Sequence, residues 1–180
     1  MVLTVDVVVS SMQALVSAQQ ATLEVQEWGC AGLQDLSAQG ADTCLRIEEQ
    51  GGLEVLLATV RVRLGSQKVQ GHGCAAMANL SRGSVARQAR IEFLGGVELA
   101  LATLRAHPYA PDIQGWALAA LRELAFGSAS AQQRVMDGDG VQLVVRALRE
   151  HRDAAAVQAP LRDWVLQQLR LVQHIRGQQN

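Results

Sequence analysis

The chain is poor in aromatics, proline, cysteine and net charge, and each scarcity excludes something. Phe, Trp and Tyr make up 3% of its 180 residues. The core therefore falls to Leu, Val and Ala within a 49% hydrophobic composition, which suits helices packed at close range. Lys and Arg number 16 against 17 Asp and Glu, a net charge of −1. Nucleic acid needs a clear excess of cations, so no such partner is expected. The three cysteines, Cys30, Cys44 and Cys74, form no CxxC pair. They read as small apolar core residues in a reducing compartment, with no metal expected and a disulfide unneeded. No apolar run reaches the roughly 18 residues a membrane helix requires, so no membrane span is expected. The apolar opening from Met1 to Val9 carries Asp6 and no basic residue, unlike a secretion signal.

What the chain has in quantity is repetition. Val25-Gln26-Glu27-Trp28-Gly29-Cys30-Ala31-Gly32-Leu33-Gln34-Asp35-Leu36-Ser37 returns 44 residues later as Val69-Gln70-Gly71-His72-Gly73-Cys74-Ala75-Ala76-Met77-Ala78-Asn79-Leu80-Ser81, identical at seven of thirteen positions. A further 44 residues on, Ile113 to Ala125 keeps the same pattern. A fixed stride in the range of 20–50 residues marks stacked structural repeats.

Between these segments lies a second recurring pair. Asp42 to Gln50 reads as a short helix with Asp42 as N-cap, and Ala86 to Leu94 and Ser130 to Asp137 are its copies. Each ends at a glycine turn, Gly51-Gly52, Gly95-Gly96 or Gly138-Asp139-Gly140, where a sharp reversal needs positive φ. A Leu-rich helix follows, as in Gly51 to Val60 and Gly95 to Leu104, with six of ten positions identical. Val7 to about Gln20 falls in the same register, so the chain opens on the second helix of a partial unit. Its Val7-Val8-Val9 run is strand-like by propensity, but periodic context outweighs that local preference. The units are then 1–37 (partial), 38–81, 82–125 and 126–176, with a polar tail over 177–180. Helix-breaking Pro108 and Pro111 fall between helices. The last long helix, Val157 to about Ile175, carries Pro160, which suits a first turn.

A short helix, a Gly-Gly turn, a Leu-rich second helix and a longer third helix opening Val-Gln resemble the armadillo repeat over essentially the whole chain. The resemblance implies an all-α fold, a right-handed α-solenoid with the third helices lining a concave groove that holds extended peptides. Import-receptor members of that family carry Trp at the seventh and Asn at the eleventh position of this segment. Here the seventh is Ala31, Ala75 and Ala119, and only Asn79 retains the Asn, a departure from nuclear-signal binding.

The residues themselves fill in that expectation. Within each thirteen-residue segment, positions 5, 6, 9, 12 and 13 are small or apolar and form the core stripe. Positions 4 and 11, two turns apart, share the other side: Trp28 and Asp35, His72 and Asn79, Trp116 and Glu123. Tryptophan beside carboxylates suits a partner rich in Arg or Lys, through ring-face attraction and ion pairing. These six residues are the candidate groove of a cytoplasmic or nuclear protein-interaction module. Four third helices at roughly 10 Å intervals give about 40 Å of groove, or about a dozen residues of extended peptide.

The alternative reading is an assembly element, or a regulatory fragment of a larger protein. Val7, Val8, Val9, Met12 and Leu15 form an apolar face whose covering helix is missing, suggesting a homodimer through the N-terminal end. Neither enzyme nor cofactor is expected. Gly71-His72-Gly73 sits inside a helix rather than a phosphate loop. Asp137 to Gly140 lacks the spaced ligands and closing Glu of a calcium loop. Asp35, His72 and a serine could be imagined as a triad, but they lie on different units.

Overall fold

The computed structural model describes residues 4–17 and 22–162, and within them all regular secondary structure is helical. Helices run α1 Val5–Ser17, α2 Leu23–Ser37, α3 Ala41–Glu49, α4 Gly52–Val62, α5 Gln67–Ser81, α6 Val85–Phe93, α7 Gly96–Ala106, α8 Pro111–Ala125, α9 Ala129–Asp137 and α10 Gly140–Glu150. Residues 155–162 are also helical. The bounds of α2, α5 and α8 differ by 44 residues at both ends, as do those of α3, α6 and α9, and of α4, α7 and α10.

Side-chain caps set this register. Thr22, Ser66, Ser84 and Ser128 each accept a hydrogen bond from the amide three residues on, at the starts of α2, α5, α6 and α9. Pro111 opens α8 instead, where its missing N–H costs nothing. Helix α3 departs from expectation: its N-cap is Gly40, and Asp42 lies inside the first turn, where its charge suits the helix dipole. Gly40 stands where the later units place Ser84 and Ser128, so this helix starts without a side-chain cap.

The two glycines of each turn have different tasks. Gly51 and Gly95 are left-handed, with φ of 75° and 85°, and Asp139 takes the same conformation at φ 55°. Gly52 and Gly96 instead make room: a Cβ there would sit 2.5 Å from Cγ2 of Ile47 or Ile91. The short helix thereby lies directly on the start of the next one.

Helices α2, α5 and α8 pack in succession, each against the next, with α1, α4, α7 and α10 ranked behind them. Leu33, Leu56, Met77, Leu80, Leu104, Leu118 and Leu121 are fully buried in the core they share. Each fully buried aliphatic side chain of this kind contributes about 1.5–3 kcal/mol. Units are also stitched across the 44-residue step. His107 Nε2 donates to the Leu64 carbonyl at 2.7 Å, and His151 Nε2 to that of Pro108 at 2.8 Å. Arg90 and Arg134 pair with Glu54 and Glu98 at 2.6 and 2.8 Å, exposed contacts of little net stability.

Two expectations are overturned here. Val8, Val9 and Met12 do not lie on an uncovered face: all three are buried in the chain's own core. α1 packs on α2, α3 and α4, so its apolar stripe is already partnered. Val7 alone of that set is exposed, while the side chain of Leu15 lies outside the described residues. Pro160 sits at the sixth residue of the helical stretch 155–162, beyond its first turn. The Ala156 carbonyl, which Pro160 cannot serve, lies against Gly115, where any Cβ would run into it. The remainder of the expected helix to Ile175 lies outside the described residues.

Candidate functional site

The exposed side of α2, α5 and α8 follows from what holds their opposite side. Each opens with a buried glutamine. Gln70 Nε2 donates to the carbonyls of Val60 and Arg63 at 2.8 and 3.1 Å, and Gln114 Nε2 repeats this on Leu104 and His107 at 2.9 and 3.0 Å. Gln158 Nε2 reaches His151 in the same way. These carbonyls belong to the last turn and exit of the preceding helix, past the end of its own hydrogen-bond ladder. Gln26 is buried too and takes the Arg63 guanidinium on its amide oxygen. The buried glutamine locks the rotation of each long helix, and the opposite face is thereby aimed outward.

On that face two rows run across the three helices. Residues four apart lie one above the other on a helix, so Glu24 stacks with Trp28, Lys68 with His72, and Asp112 with Trp116. Trp28 is 79% exposed and Trp116 39%. A cavity of about 370 Å³ opens between α2 and α5, lined by Glu24, Glu27, Trp28, Ala31, Lys68 and His72. A second, of about 520 Å³, lies between α5 and α8, with Lys68, His72, Tyr109, Asp112 and Trp116 among its walls. Lys68 and His72 are the partition between the two.

The partition is fixed from below. His72 Nδ1 lies 2.7 Å from Gln34 Oε1. Lys68 Nζ meets Glu27 Oε2 at 3.1 Å, while Ser66 Oγ donates to Glu27 Oε1 at 3.1 Å. The Lys68 ammonium, with the Ser66 hydroxyl, holds the Glu27 carboxyl below its ordinary range against the opposing effect of burial. Glu24 and Asp112 make no ion pair among the described residues and sit in first turns, where the helix dipole favours carboxylates.

Of the three candidate residues two turns further along, Asn79 and Glu123 are engaged within the chain. Asp35 is exposed. Asn79 is half-buried and turns its amide nitrogen toward α2, 3.4 Å from the Gln34 carbonyl and 3.3 Å from Ser37 Oγ. Glu123 is half-buried between Arg122 and Arg82, at 2.5 and 3.7 Å. The structure thus brings Trp28, His72 and Trp116 together along two adjoining cavities, and places Asn79 and Glu123 in contacts within the chain. Sequence reasoning missed Glu24, Lys68, Tyr109 and Asp112, which lie just ahead of the thirteen-residue window that begins at position 25.

Burial pushes the Cys30 and Cys74 thiols up to about 12, so neither is a nucleophile at neutral pH. No group of three His, Cys, Asp or Glu side chains that could hold a metal occurs among the described residues. No described helix is long and apolar enough to cross a membrane.

No family model and no curated protein matches the chain. Among solved structures it is similar to the crystal structure of an engineered protein, with a TM-score of 0.73 and 25% identity. That match covers 91% of this chain and 61% of the other, so this chain spans less than two thirds of its neighbour's length.

Proposed function

We propose that the chain is a right-handed armadillo-type solenoid acting as a non-catalytic, cytoplasmic protein-interaction module. Its ligand is an extended peptide segment carrying basic residues, laid across α2, α5 and α8. The observation that carries this reading is the pair of indoles, Trp28 and Trp116, standing exposed at one register on either side of His72. Large aromatics in contact with water cost hydrophobic free energy, and here they border open cavities beside Glu24 and Asp112, carboxylates with no ion pair among the described residues. That combination suits cation–π and ionic capture of Arg or Lys. The 44-residue identity of helix bounds and the likeness to a longer engineered protein support the solenoid assignment.

The test is capture of partners from a lysate by the wild type and by the Trp28→Ala/Trp116→Ala double variant, with helicity followed by circular dichroism. The variant is expected to keep its helicity and lose the bound proteins. Equal capture by both would dismiss the groove. Self-association through the N-terminal end has lost its support, since Val8, Val9 and Met12 are buried.

A further inference from the structure

The rows across α2, α5 and α8 do not alternate at random. The upper row reads Glu24, Lys68, Asp112, and the row one turn below reads Trp28, His72, Trp116. An acid with an indole is followed by a base with an imidazole, and then by an acid with an indole. Lys68 and His72 belong to both cavities, whereas Glu24 and Trp28 border only the first and Asp112 and Trp116 only the second. A uniformly basic ligand would therefore meet repulsion at its centre.

We infer that the ligand is a peptide with a cation–anion–cation charge pattern at three-residue spacing, Arg/Lys-x-x-Asp/Glu-x-x-Arg/Lys, held in a polyproline II conformation. The inference rests on the peptide-groove reading above and specifies which peptide. Spacing sets the interval. Adjacent helix axes lie about 8–10 Å apart, and a polyproline II chain advances about 9.3 Å per turn of three residues. Residues i, i+3 and i+6 then point the same way, one at each helix. A β-strand, with its period of two, would turn residue i+3 away from the wall while i and i+6 faced it.

Lys68 remains available to an incoming carboxylate although it already contacts Glu27. Its side chain is 71% exposed against 16% for that of Glu27, and its ammonium carries three protons. The Ser66 hydroxyl and Lys68 share the Glu27 carboxylate, so the pair anchors the ammonium on the partition between the cavities. The flanking cations of the peptide would reach Glu24 over Trp28, and Asp112 between Tyr109 and Trp116.

The test uses three synthetic peptides, Arg-Ala-Pro-Glu-Ala-Pro-Arg and its central Ala and central Arg versions, each in a Gly/Ser frame, titrated at low salt. They are measured against the wild type, Lys68→Glu, Lys68→Met and the double Trp variant. The wild type is expected to prefer central Glu over central Arg by about five- to twentyfold, the size of one exposed attraction exchanged for repulsion. Lys68→Glu should reverse that order, and Lys68→Met should flatten it. The same ranking in wild type and Lys68→Glu, with binding still dependent on the tryptophans, would overturn the charge pattern and leave the groove standing. Binding of no peptide, or binding indifferent to the tryptophans, would overturn both.

Discussion

Thr103 donates its hydroxyl to the buried amide oxygen of Gln70 at 2.6 Å, joining α7 to α5. One unit later the equivalent pair is Gln114 and Ala147. Alanine offers no donor, and the Gln114 amide oxygen is left buried without a hydrogen-bond partner. An unsatisfied buried acceptor costs about 1–3 kcal/mol.

Restoring the missing donor should therefore stabilise the protein. Ala147→Thr is expected to gain about 1 kcal/mol, read as a rise in the thermal or urea midpoint, with Ala147→Ser as the less bulky version. Thr103→Val should lose about 1–3 kcal/mol by orphaning Gln70 in the same way. A fall in stability for both Ala147 variants would mean that a water already satisfies Gln114.

Asp139 carries a left-handed conformation that its counterparts Gly51 and Gly95 carry without a Cβ. Asp tolerates this region better than most residues, yet still with strain. Asp139→Gly is expected to be neutral or to stabilise by up to about 0.5 kcal/mol, strain relief being partly offset by the unfolded-state entropy of glycine. Gly95→Ala should cost about 1 kcal/mol or more. Equilibrium denaturation of the two variants checks the order, and a harmless Gly95→Ala would remove the conformational argument.

The period, the helix types and the placement of the turns were legible because a side-chain pattern repeated at fixed stride reports on packing, which is itself repeated. The exposure of Trp28 and Trp116 at one register was legible for the same reason. The role of the Val-Gln opening was not, since a glutamine reads locally as a surface residue. Its signal was present nonetheless, in Gln26, Gln70, Gln114 and Gln158 at one register beside Val25, Val69, Ile113 and Val157. Val8, Val9 and Met12 were misplaced because one sequence cannot say that α3 and α4 reach back over α1. Asn79 and Glu123 looked free because their partners, Gln34, Ser37 and Arg82, lie on other elements or beyond the helix end.

Leu101 and Val145 occupy one register in α7 and α10 and meet opposite surroundings. Leu101 is 2% exposed, with its Cδ1 where a Cβ on Gly138 of the next unit would have to go. Val145 is 38% exposed and borders an apolar cavity of about 350 Å³ with Met136 and Val141. Leu101→Ala should cost about 2–5 kcal/mol, since a buried side chain is lost and the site between two units cannot fully collapse. Val145→Ala and Val145→Lys should each cost less than about 1 kcal/mol, the range for substitutions on an open surface. Denaturation at several protein concentrations makes the comparison sharper. A Val145→Lys penalty comparable to that of Leu101→Ala would show that something covers this face in solution. A penalty that disappears on dilution would identify the cover as a second copy of the chain, because only an intermolecular contact is concentration-dependent.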